Sequence, residues 1–271
     1  MSSSQPFLEQ NRRAWDERVR RGATHTESAS EADLRDPLAV IDECGWLEGN
    51  VRDRRVLCLA AGGGKHSALF AAAGARVTVV DLSPAMLEQD RRMAARHGFE
   101  IRSVEASMDH LPMLGDAAFD IVIQPVSTCY VPDIGAVYQE VARVTADGGL
   151  YISQHKQPAA LQAETMPSGK GYTLAEPYYR SGPLPAAADG LHHRESGTAE
   201  FLHRWQELVG GLCRSGFVIE DLVEPRHGDP SAPIGTFRHR SAFMPPFVTL
   251  KARRTGRPDS SPASAGRIWI P

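Results

Sequence analysis

The feature that most constrains the fold is a repeated alternation of short apolar segments and amphipathic segments between residues 55 and 155. The apolar segments are RVLCLA, RVTVVD, FEIRSVEA, FDIVIQP and GLYISQH. RVTVVD is apolar at nearly every position, which is typical of a strand covered on both faces. Strands that alternate with helices over short loops predict an α/β domain with a doubly wound, mostly parallel sheet.

Local signals place the helices between these strands. Ser83 is a predicted N-cap, Pro84 occupies the first helical position and Gly98 follows the end of the helix. Asp133 caps a further helix with apolar residues at helical spacing. We also expect a helix over 6–20, a loop over 22–36, a short helix from Pro37 and one long helix within 198–216. The segments FVIEDLVE and PFVTLKARR supply two more strands, which brings the sheet to seven.

Composition limits the class of function. The chain has 271 residues, of which 42% are hydrophobic, and a formal net charge of −3. Such a charge gives no electrostatic reason to expect nucleic acid or an anionic membrane as a partner. The beginning of the chain has no long apolar stretch, so we expect neither a signal peptide nor a membrane span, and a cytoplasmic location. The four cysteines form no CxxC pair, so we expect neither disulfides nor a metal site.

Three consecutive glycines, Gly62, Gly63 and Gly64, follow the first strand and precede the first helix of the sheet. This position is the carboxyl edge, where open α/β sheets bind ligands. Without Cβ atoms, the turn allows a ligand to touch the backbone. Asp81 ends the second strand, where its carboxylate can accept hydrogen bonds from the two hydroxyls of a ribose. The glycine turn and Asp81 together predict an adenosine-containing ligand. The alternative is that Asp81 only caps the following helix, but Ser83 already supplies a cap.

The glycine turn also comes close to the dinucleotide fingerprint G-x-G-x-x-G/A, with Ser67 at the last position. A dinucleotide site of this kind also expects an acidic residue further along the chain. The turn and Asp81 alone therefore leave an NAD-dependent oxidoreductase open.

The remaining segments resemble a known family. ASMDHLPMLGDAAFDIVI, followed by VYQEVARVTADGGLYIS, resembles the later motifs of class I S-adenosylmethionine-dependent methyltransferases of the small-molecule type. The resemblance covers 55–151 well and the last two strands loosely. It implies a seven-stranded Rossmann-like methyltransferase domain over 51–254, with a substrate-covering insertion after strand five at about 156–197. It further implies an N-terminal helical lid over 1–50, in which Trp15 either covers the cofactor or is an ordinary core residue. The Ser, Pro, Gly and Arg composition of 255–271 predicts a disordered tail.

The resemblance implies S-adenosylmethionine as cofactor and a set of binding positions. These are Ala60, Ala61, Gly62, Gly64, Asp81, Leu82, Met86, Ser107, Met108, Gln124, Val126 and Ser127. Three positions depart from the family pattern: Cys58 replaces the first-strand acid, Ala60 the first glycine, and Ser107 an acid near the adenine. The first-strand acid usually orients the turn or the cofactor ammonium group. Its replacement leaves a non-catalytic S-adenosylmethionine-binding protein as an alternative.

The expected reaction is methyl transfer to an O or N atom of a small molecule, with C-methylation open. His155, at the end of strand five, is the first candidate for a general base, although it could also hold a loop or a substrate by a hydrogen bond. Tyr130 either orients the substrate or packs in the pocket wall. Aromatic and basic residues of the insertion suit an aromatic or carboxylate-bearing acceptor; they are Tyr178, Tyr179, Arg180, His192, His193 and Arg194. Lys156 either attracts an anionic substrate or is simply solvated. The long loop between the last two strands could add Arg226, His227, Arg238 or His239, although surface solvation explains such charged residues equally well. The oligomeric state is not predicted.

Overall fold

A seven-stranded sheet organises the chain. The structure, a computed structural model, describes residues 5–187 and 193–256. The strands are β1 Arg55–Leu59, β2 Arg76–Asp81, β3 Ile101–Glu105, β4 Phe119–Gln124, β5 Thr145–Lys156, β6 Phe217–Val223 and β7 Phe247–Arg254. Their order is β3-β2-β1-β4-β5-β7-β6, and β7 runs antiparallel to both of its neighbours. The predicted doubly wound, mostly parallel sheet is confirmed.

Helices cover both faces of this sheet. They are α1 Gln5–Arg20, α2 Glu31–Arg35, α3 Pro37–Ile41, α4 His66–Ala72, α5 Pro84–His97, α6 Ile134–Val144, α7 Pro158–Gln162, α8 Gly211–Arg214 and α9 Phe237–Ser241. A 3-10 turn at Thr128–Tyr130 follows β4, and a π-helical turn at Gln206–Gly210 leads into α8. No helix of the described residues combines the length and the apolar character that crossing a bilayer requires.

The alternation of side chains along β1 divides the core into two halves. Leu57 and Leu59 are fully buried against the layer that contains α6 and α8. Val56 and Cys58 are fully buried on the opposite face, in a cluster that contains Phe70 of α4 and Leu87 of α5. Both halves exclude water from the sheet, so its carboxyl edge is the place where the backbone of several strands comes within reach of a ligand.

The prediction of a continuous loop over 22–36 is wrong, because α2 forms within it. The Ser30 side chain accepts a hydrogen bond from the backbone N–H of Asp33, and the Asp33 carboxylate accepts one from the backbone N–H of Ser30. This reciprocal arrangement is a capping box, which satisfies amides that would otherwise lack partners at a helix start.

The prediction of one helix through 198–216 is also wrong in its first half. Residues 198–203 are extended and buried, and helical structure begins at Trp205. Their backbone bonds to other segments: Phe201 N donates to Cys129 O at 2.7 Å, and Leu184 N donates to Glu200 O at 2.7 Å. A helix would present one face to solvent, and this segment is enclosed on several sides.

One buried guanidinium is among the groups that attach the insertion after β5 to the β6–β7 connection. The Arg240 side chain donates to the carbonyl oxygens of Ala160, Ala163 and Glu164, at 2.6, 2.8 and 3.0 Å. Of the predicted disordered tail, Thr255 and Gly256 are described, and Thr255 N donates to Gly216 O. Residues 257–271, on which the prediction of disorder chiefly rests, lie outside the described residues.

We expect Arg240→Met to loosen the insertion and leave the sheet intact. The substitution leaves three carbonyls without their charged donor, which should lower local stability by about 2 kcal/mol or more. Hydrogen exchange should therefore accelerate at the Ala163 amide, whose acceptor is Ala159 O in α7, and stay slow in β4. Arg238→Met is the matched control, since Arg238 is exposed and pairs with Asp229. Equal exchange rates of the Ala163 amide in both variants would contradict the role of Arg240 in holding the insertion.

Candidate functional site

A cavity of about 630 Å³ lies at the carboxyl edge of the sheet. Among the predicted site residues, those that line it are Ala60, Ala61, Gly62, Asp81, Leu82, Met86, Ser107, Met108, Val126, Ser127 and Tyr130. Gly64, Gln124 and His155 are not on its wall. The wall also includes Leu8, Asn11 and Trp15 of α1, together with Glu195, His227 and Phe247 from the second half of the chain. The cavity is therefore covered by segments from both ends of the described chain.

The glycine turn is shaped so that larger residues do not fit. A Cβ atom on Gly62 would lie 2.8 Å from Met86 Cβ and 3.0 Å from Asp81 Cβ, which is closer than real Cβ contacts come. Gly63 and Gly64 have φ angles of +109° and +74°, in the region that favours glycine. Of the three glycines, Gly62 lies on the cavity wall, where it presents bare backbone to a ligand.

Asp81 fixes one end of the turn and faces the cavity. Its Oδ2 accepts a hydrogen bond from Gly62 N at 2.9 Å, and its Oδ1 accepts one from Ser83 N at 2.8 Å. Each carboxylate oxygen can accept a further bond. Burial raises the pKa of Asp81 to about 6, against its ordinary value of 3.8. The group is ionised above that pH and offers acceptors to a pair of hydroxyls.

A second carboxylate, Asp90 of α5, holds the rest of the turn. Its Oδ2 accepts from Gly63 N and its Oδ1 from Gly64 N, both at 3.0 Å, and Ser67 Oγ donates to the same Oδ1. Asp90 is fully buried, and burial raises its pKa to about 6. Asp90 was not among the residues predicted from the sequence. The available signal was a carboxylate on the buried face of α5, four residues after Met86.

The carbonyl side of the turn is held by the segment before α2. Ser28 Oγ donates to Gly63 O at 2.7 Å, and Ala29 N donates to Gly64 O at 3.1 Å. Next to these contacts, charged groups of both signs line the cavity, among them Glu27 and Lys65. The sequence analysis treated this segment as a loop and did not connect it with the site.

At the far end of the cavity, Tyr130 and Glu195 belong to a buried ionic network. The Tyr130 hydroxyl donates to Glu195 Oε2 at 2.8 Å, and Lys156 Nζ donates to the same oxygen at 2.5 Å and to Glu200 Oε1 at 2.7 Å. Arg194 also pairs with Glu200. Two cations and two carboxylates therefore balance each other at this end.

The network fixes the protonation states of its members. Burial alone would raise the pKa of Glu195, but Lys156 and the Tyr130 hydroxyl hold it well below its usual range. Burial alone would lower the pKa of Lys156, but Glu195 and Glu200 raise it above its ordinary value. Burial, with the charge of Glu195, raises the pKa of Tyr130. At neutral pH the carboxylate and the ammonium are charged and the phenol keeps its proton.

The His155 side chain lies on the face of the sheet that α6 covers and does not line the cavity. It is fully buried, with one ring nitrogen 2.8 Å from Thr128 Oγ1 and the other 2.8 Å from Ser153 Oγ. Burial, with a smaller contribution from His203, lowers the pKa of His155 to about 3. Because side chains alternate along β5, Gln154 faces the cavity and His155 faces the α6 layer. The structure gives His155 a supporting position.

Gln124 and Gly64 support the cavity wall from behind. Gln124 is buried, accepts a hydrogen bond from the Tyr151 hydroxyl at 2.5 Å and donates to Ser127 Oγ at 3.0 Å. Ser107, at the position of the missing acid, donates its hydroxyl to Asp109.

Most of the aromatic and basic residues proposed from the insertion lie elsewhere. Tyr178 accepts a hydrogen bond from Trp205 N, Tyr179 is 80% exposed and Arg180 pairs with Glu176. His192 lies outside the described residues. His227, in contrast, lines the cavity, with its ring against Phe247 at a centroid distance of 5.5 Å. No group of His, Cys, Asp and Glu residues within the described ranges is arranged to hold a metal ion.

The parallel sheet, the bare turn and the carboxylate at the end of β2 define a Rossmann-like domain with a site for an adenosine-type ligand. A family described as methyltransferase domain matches residues 57–153. The chain is 30% identical over 232 residues to the uncharacterized methyltransferase YbaJ of Bacillus subtilis (strain 168), which covers 80% of this chain and 90% of that protein.

Solved structures share the fold. An S-adenosylmethionine-dependent methyltransferase from Mesorhizobium loti gives a TM-score of 0.62 at 23% identity, covering 83% of this chain and 99% of the other. The geranyl diphosphate C-methyltransferase from Streptomyces coelicolor A3(2) gives 0.59 at 16% identity, covering 92% and 98%. The chain belongs to the class I S-adenosylmethionine-dependent methyltransferases. This membership favours a catalytic role and S-adenosylmethionine over the NAD-dependent and non-catalytic alternatives.

We expect Asp81→Ala to weaken the binding of S-adenosylhomocysteine at least tenfold. The substitution removes the carboxylate that faces the cavity and the acceptor of Gly62 N. Isothermal titration calorimetry measures the change directly. Asp147→Ala is a suitable control, because Asp147 is exposed at the opposite edge of the sheet. Unchanged affinity in a folded Asp81→Ala protein would refute the role of this carboxylate.

We further expect S-adenosylhomocysteine affinity to be highest above pH 7 and to fall as the pH drops through about 6, where Asp81 and Asp90 take up protons. Titrations at pH 7.5, 6.5 and 5.5 would show the trend. Because the folded chain binds these protons more tightly than the unfolded chain, both groups add stability as the pH falls from 6 towards 4. Their protonation therefore weakens binding without promoting unfolding. A constant affinity across the three pH values would contradict this expectation.

Proposed function

We propose that this methyltransferase transfers the methyl group of S-adenosylmethionine to an oxygen or nitrogen atom of a small molecule with an aromatic or apolar body. The observation that carries the proposal is one covered cavity with two chemically different ends. The turn and Asp81 lie at one end, and Tyr130, Glu195 and His227 lie at the other. The N-terminal helices over 1–50 act as its lid, with α1 contributing Leu8, Asn11 and Trp15.

The residues at the first end fit the cofactor. In this assignment the Asp81 carboxylate accepts the ribose hydroxyls, while Leu82 and Met86 flank the adenine. The backbone of Gly62, which lies on the cavity wall, faces the methionine part. Glu27 and Lys65 offer opposite charges to the ammonium and carboxylate groups of that part.

When bound, S-adenosylmethionine supplies an electrophilic methyl group on a sulfonium. The chain's own task is to align the acceptor, exclude water and take up a proton where the acceptor loses one. Trp15 and Tyr130 meet edge to face with centroids 5.8 Å apart, so they form one aromatic wall at the end opposite the turn. An aromatic acceptor packs well against such a wall.

The end of the cavity with Tyr130, Glu195 and His227 is the acceptor end in this assignment. Its charges favour a methyl acceptor that donates hydrogen bonds. Of the described residues that line the cavity, Lys65 alone is a lysine or arginine, and it lies beside the glycine turn. Lys156, which the sequence offered as an anchor for an anion, is buried and paired with two carboxylates. A hydroxyl or amine finds the Glu195 carboxylate here, whereas a carboxylate-bearing acceptor finds no free cation. We therefore favour phenols and amines.

His227 is the proton acceptor that the geometry favours. Its ring packs on Phe237 and Phe247 at the acceptor end, and within the described ranges it forms no hydrogen bond. A free imidazole nitrogen can accept the proton of a hydroxyl or an amine. His155 has both nitrogens engaged and Glu195 is a weak base, so neither competes for this role.

A panel of phenols and amines tests the proposed reaction. Methyl transfer is followed as S-adenosylhomocysteine formation, and mass spectrometry of the product identifies the methylated atom. Products methylated only on carbon, or only on carboxylates, would overturn the proposed acceptor class.

We expect His227→Gln to lower kcat about 100-fold or more with an accepted phenol, which is the usual contribution of a general base. Affinity for S-adenosylhomocysteine should stay unchanged. His239→Gln is the matched control from the same connection, because the His239 ring is held by the Tyr172 hydroxyl and is not on the cavity wall. Full turnover in His227→Gln would remove His227 from the mechanism.

A further inference from the structure

The glycine turn is held by a carboxylate from an unexpected element. In the resembling family an acid on the first strand orients this turn, but here that position is Cys58. The Cys58 thiol is fully buried in an apolar cluster with Phe70, Val79 and Leu87. A thiol is a weak acceptor and cannot hold two amides as a carboxylate does. The turn nevertheless has its amides satisfied, and by a group on α5.

We propose that Asp90 is the positioning residue of the cofactor turn and takes over the task of the missing first-strand acid. The inference rests on the assignment of the turn to the cofactor, made above. Asp90 accepts one bond from Gly63 N and one from Gly64 N, each on a different oxygen. This two-point grip fixes the orientation of two successive peptide planes, which a single bond would leave free to rotate.

The cost of burying Asp90 supports a specific role. The side chain is fully buried, and within 5–187 and 193–256 it forms no ion pair with a lysine, arginine or histidine. The amides of the turn and the Ser67 hydroxyl donate hydrogen bonds to it and stabilise its charge. A buried unpaired carboxylate is costly compared with an apolar residue. The hydrogen bonds from the two turn amides therefore offset the cost of burying this carboxylate.

Asp90 also lies close to the position it replaces. Burial raises the pKa of the Cys58 thiol above its ordinary value, and the charge of Asp90 raises it further. Cys58 of β1 also shares its apolar cluster with Leu87 of α5, so the two elements that carry these side chains pack against each other. Met86, four residues before Asp90, contacts Gly62 and Gly63 and accepts a bond from Gly63 N through its carbonyl oxygen. One face of α5 thus determines the shape of the turn.

The test is a swap of the acid between the two elements. Asp90→Asn replaces one acceptor by a donor that faces a glycine amide, so S-adenosylhomocysteine affinity in calorimetry should fall at least tenfold. The KM for S-adenosylmethionine should rise more than kcat falls. In Cys58→Asp/Asp90→Asn the carboxylate returns from β1, and affinity should recover at least threefold relative to Asp90→Asn. Glu88→Gln, an exposed position on the same helix, is the control.

Each possible result either supports the role of Asp90 or overturns it. If Asp90→Asn folds and binds S-adenosylhomocysteine like the wild type, or if the double variant folds and recovers nothing, the inference is overturned. If Asp90→Asn does not fold, the double variant should fold and bind. Hydrogen exchange on the wild type provides a second measurement: the Gly63 and Gly64 amides should be strongly protected, and rapid exchange of both would overturn the inference. Normal binding by Asp81→Ala would instead refute the cofactor assignment itself.

Discussion

The site depends on the hydrogen bonds that three successive glycine amides donate to two carboxylates, one half-buried at the cavity and one fully buried. A turn between a strand and a helix leaves backbone amides without regular partners, and buried amides must be satisfied. Here Asp81 accepts from Gly62, and Asp90 accepts from Gly63 and Gly64. The carbonyl oxygens of the turn accept hydrogen bonds from the Ser28 hydroxyl and from Ala29 N. The turn is therefore fixed from both sides before any ligand arrives, and a fixed turn keeps the cavity wall in place.

The acceptor end is organised by charge. Lys156 at the end of β5 pairs with Glu195 and Glu200, and Arg194 completes a neutral set of four. Burying these four charged groups adds little to the stability of the fold by itself. Few other arrangements of the side chains, however, would leave every charge paired. It joins the end of β5 to the extended segment 198–203, whose burial it accompanies. The same contacts leave Glu195 at the cavity wall as a fixed carboxylate.

The parts that local sequence determines were predicted, and those that distant contacts determine were not. The strands, α5 with its Ser83 cap and the turn followed from patterns within a few residues. The extended path of 198–203 did not, because its apolar spacing is equally compatible with a helix. What excludes the helix is contact with Cys129 and with α1, far away in sequence.

The choice of His155 shows the same limit within one strand. Sequence located the right strand end, but the face toward which a side chain points depends on where the sheet's two layers lie. Tyr151 and His155 share the face covered by α6, while Gln154 faces the cavity. Asp90 was missed for a related reason: its partners lie more than twenty residues earlier in the chain.

Helix α1 connects the two ends of the cavity. Near its end, the Asp16 carboxylate accepts from the Ser83 hydroxyl at 2.6 Å and from Ala85 N at 3.2 Å, which attaches α1 to the start of α5. Near its beginning, the Asn11 amide donates to Tyr130 O at 2.9 Å and accepts from Ala199 N at 2.7 Å. One rigid element therefore sets the distance between the turn and the acceptor end. Since methyl transfer depends mainly on aligning the acceptor atom with the methyl–sulfur bond, this distance is the geometric quantity that the fold has to control.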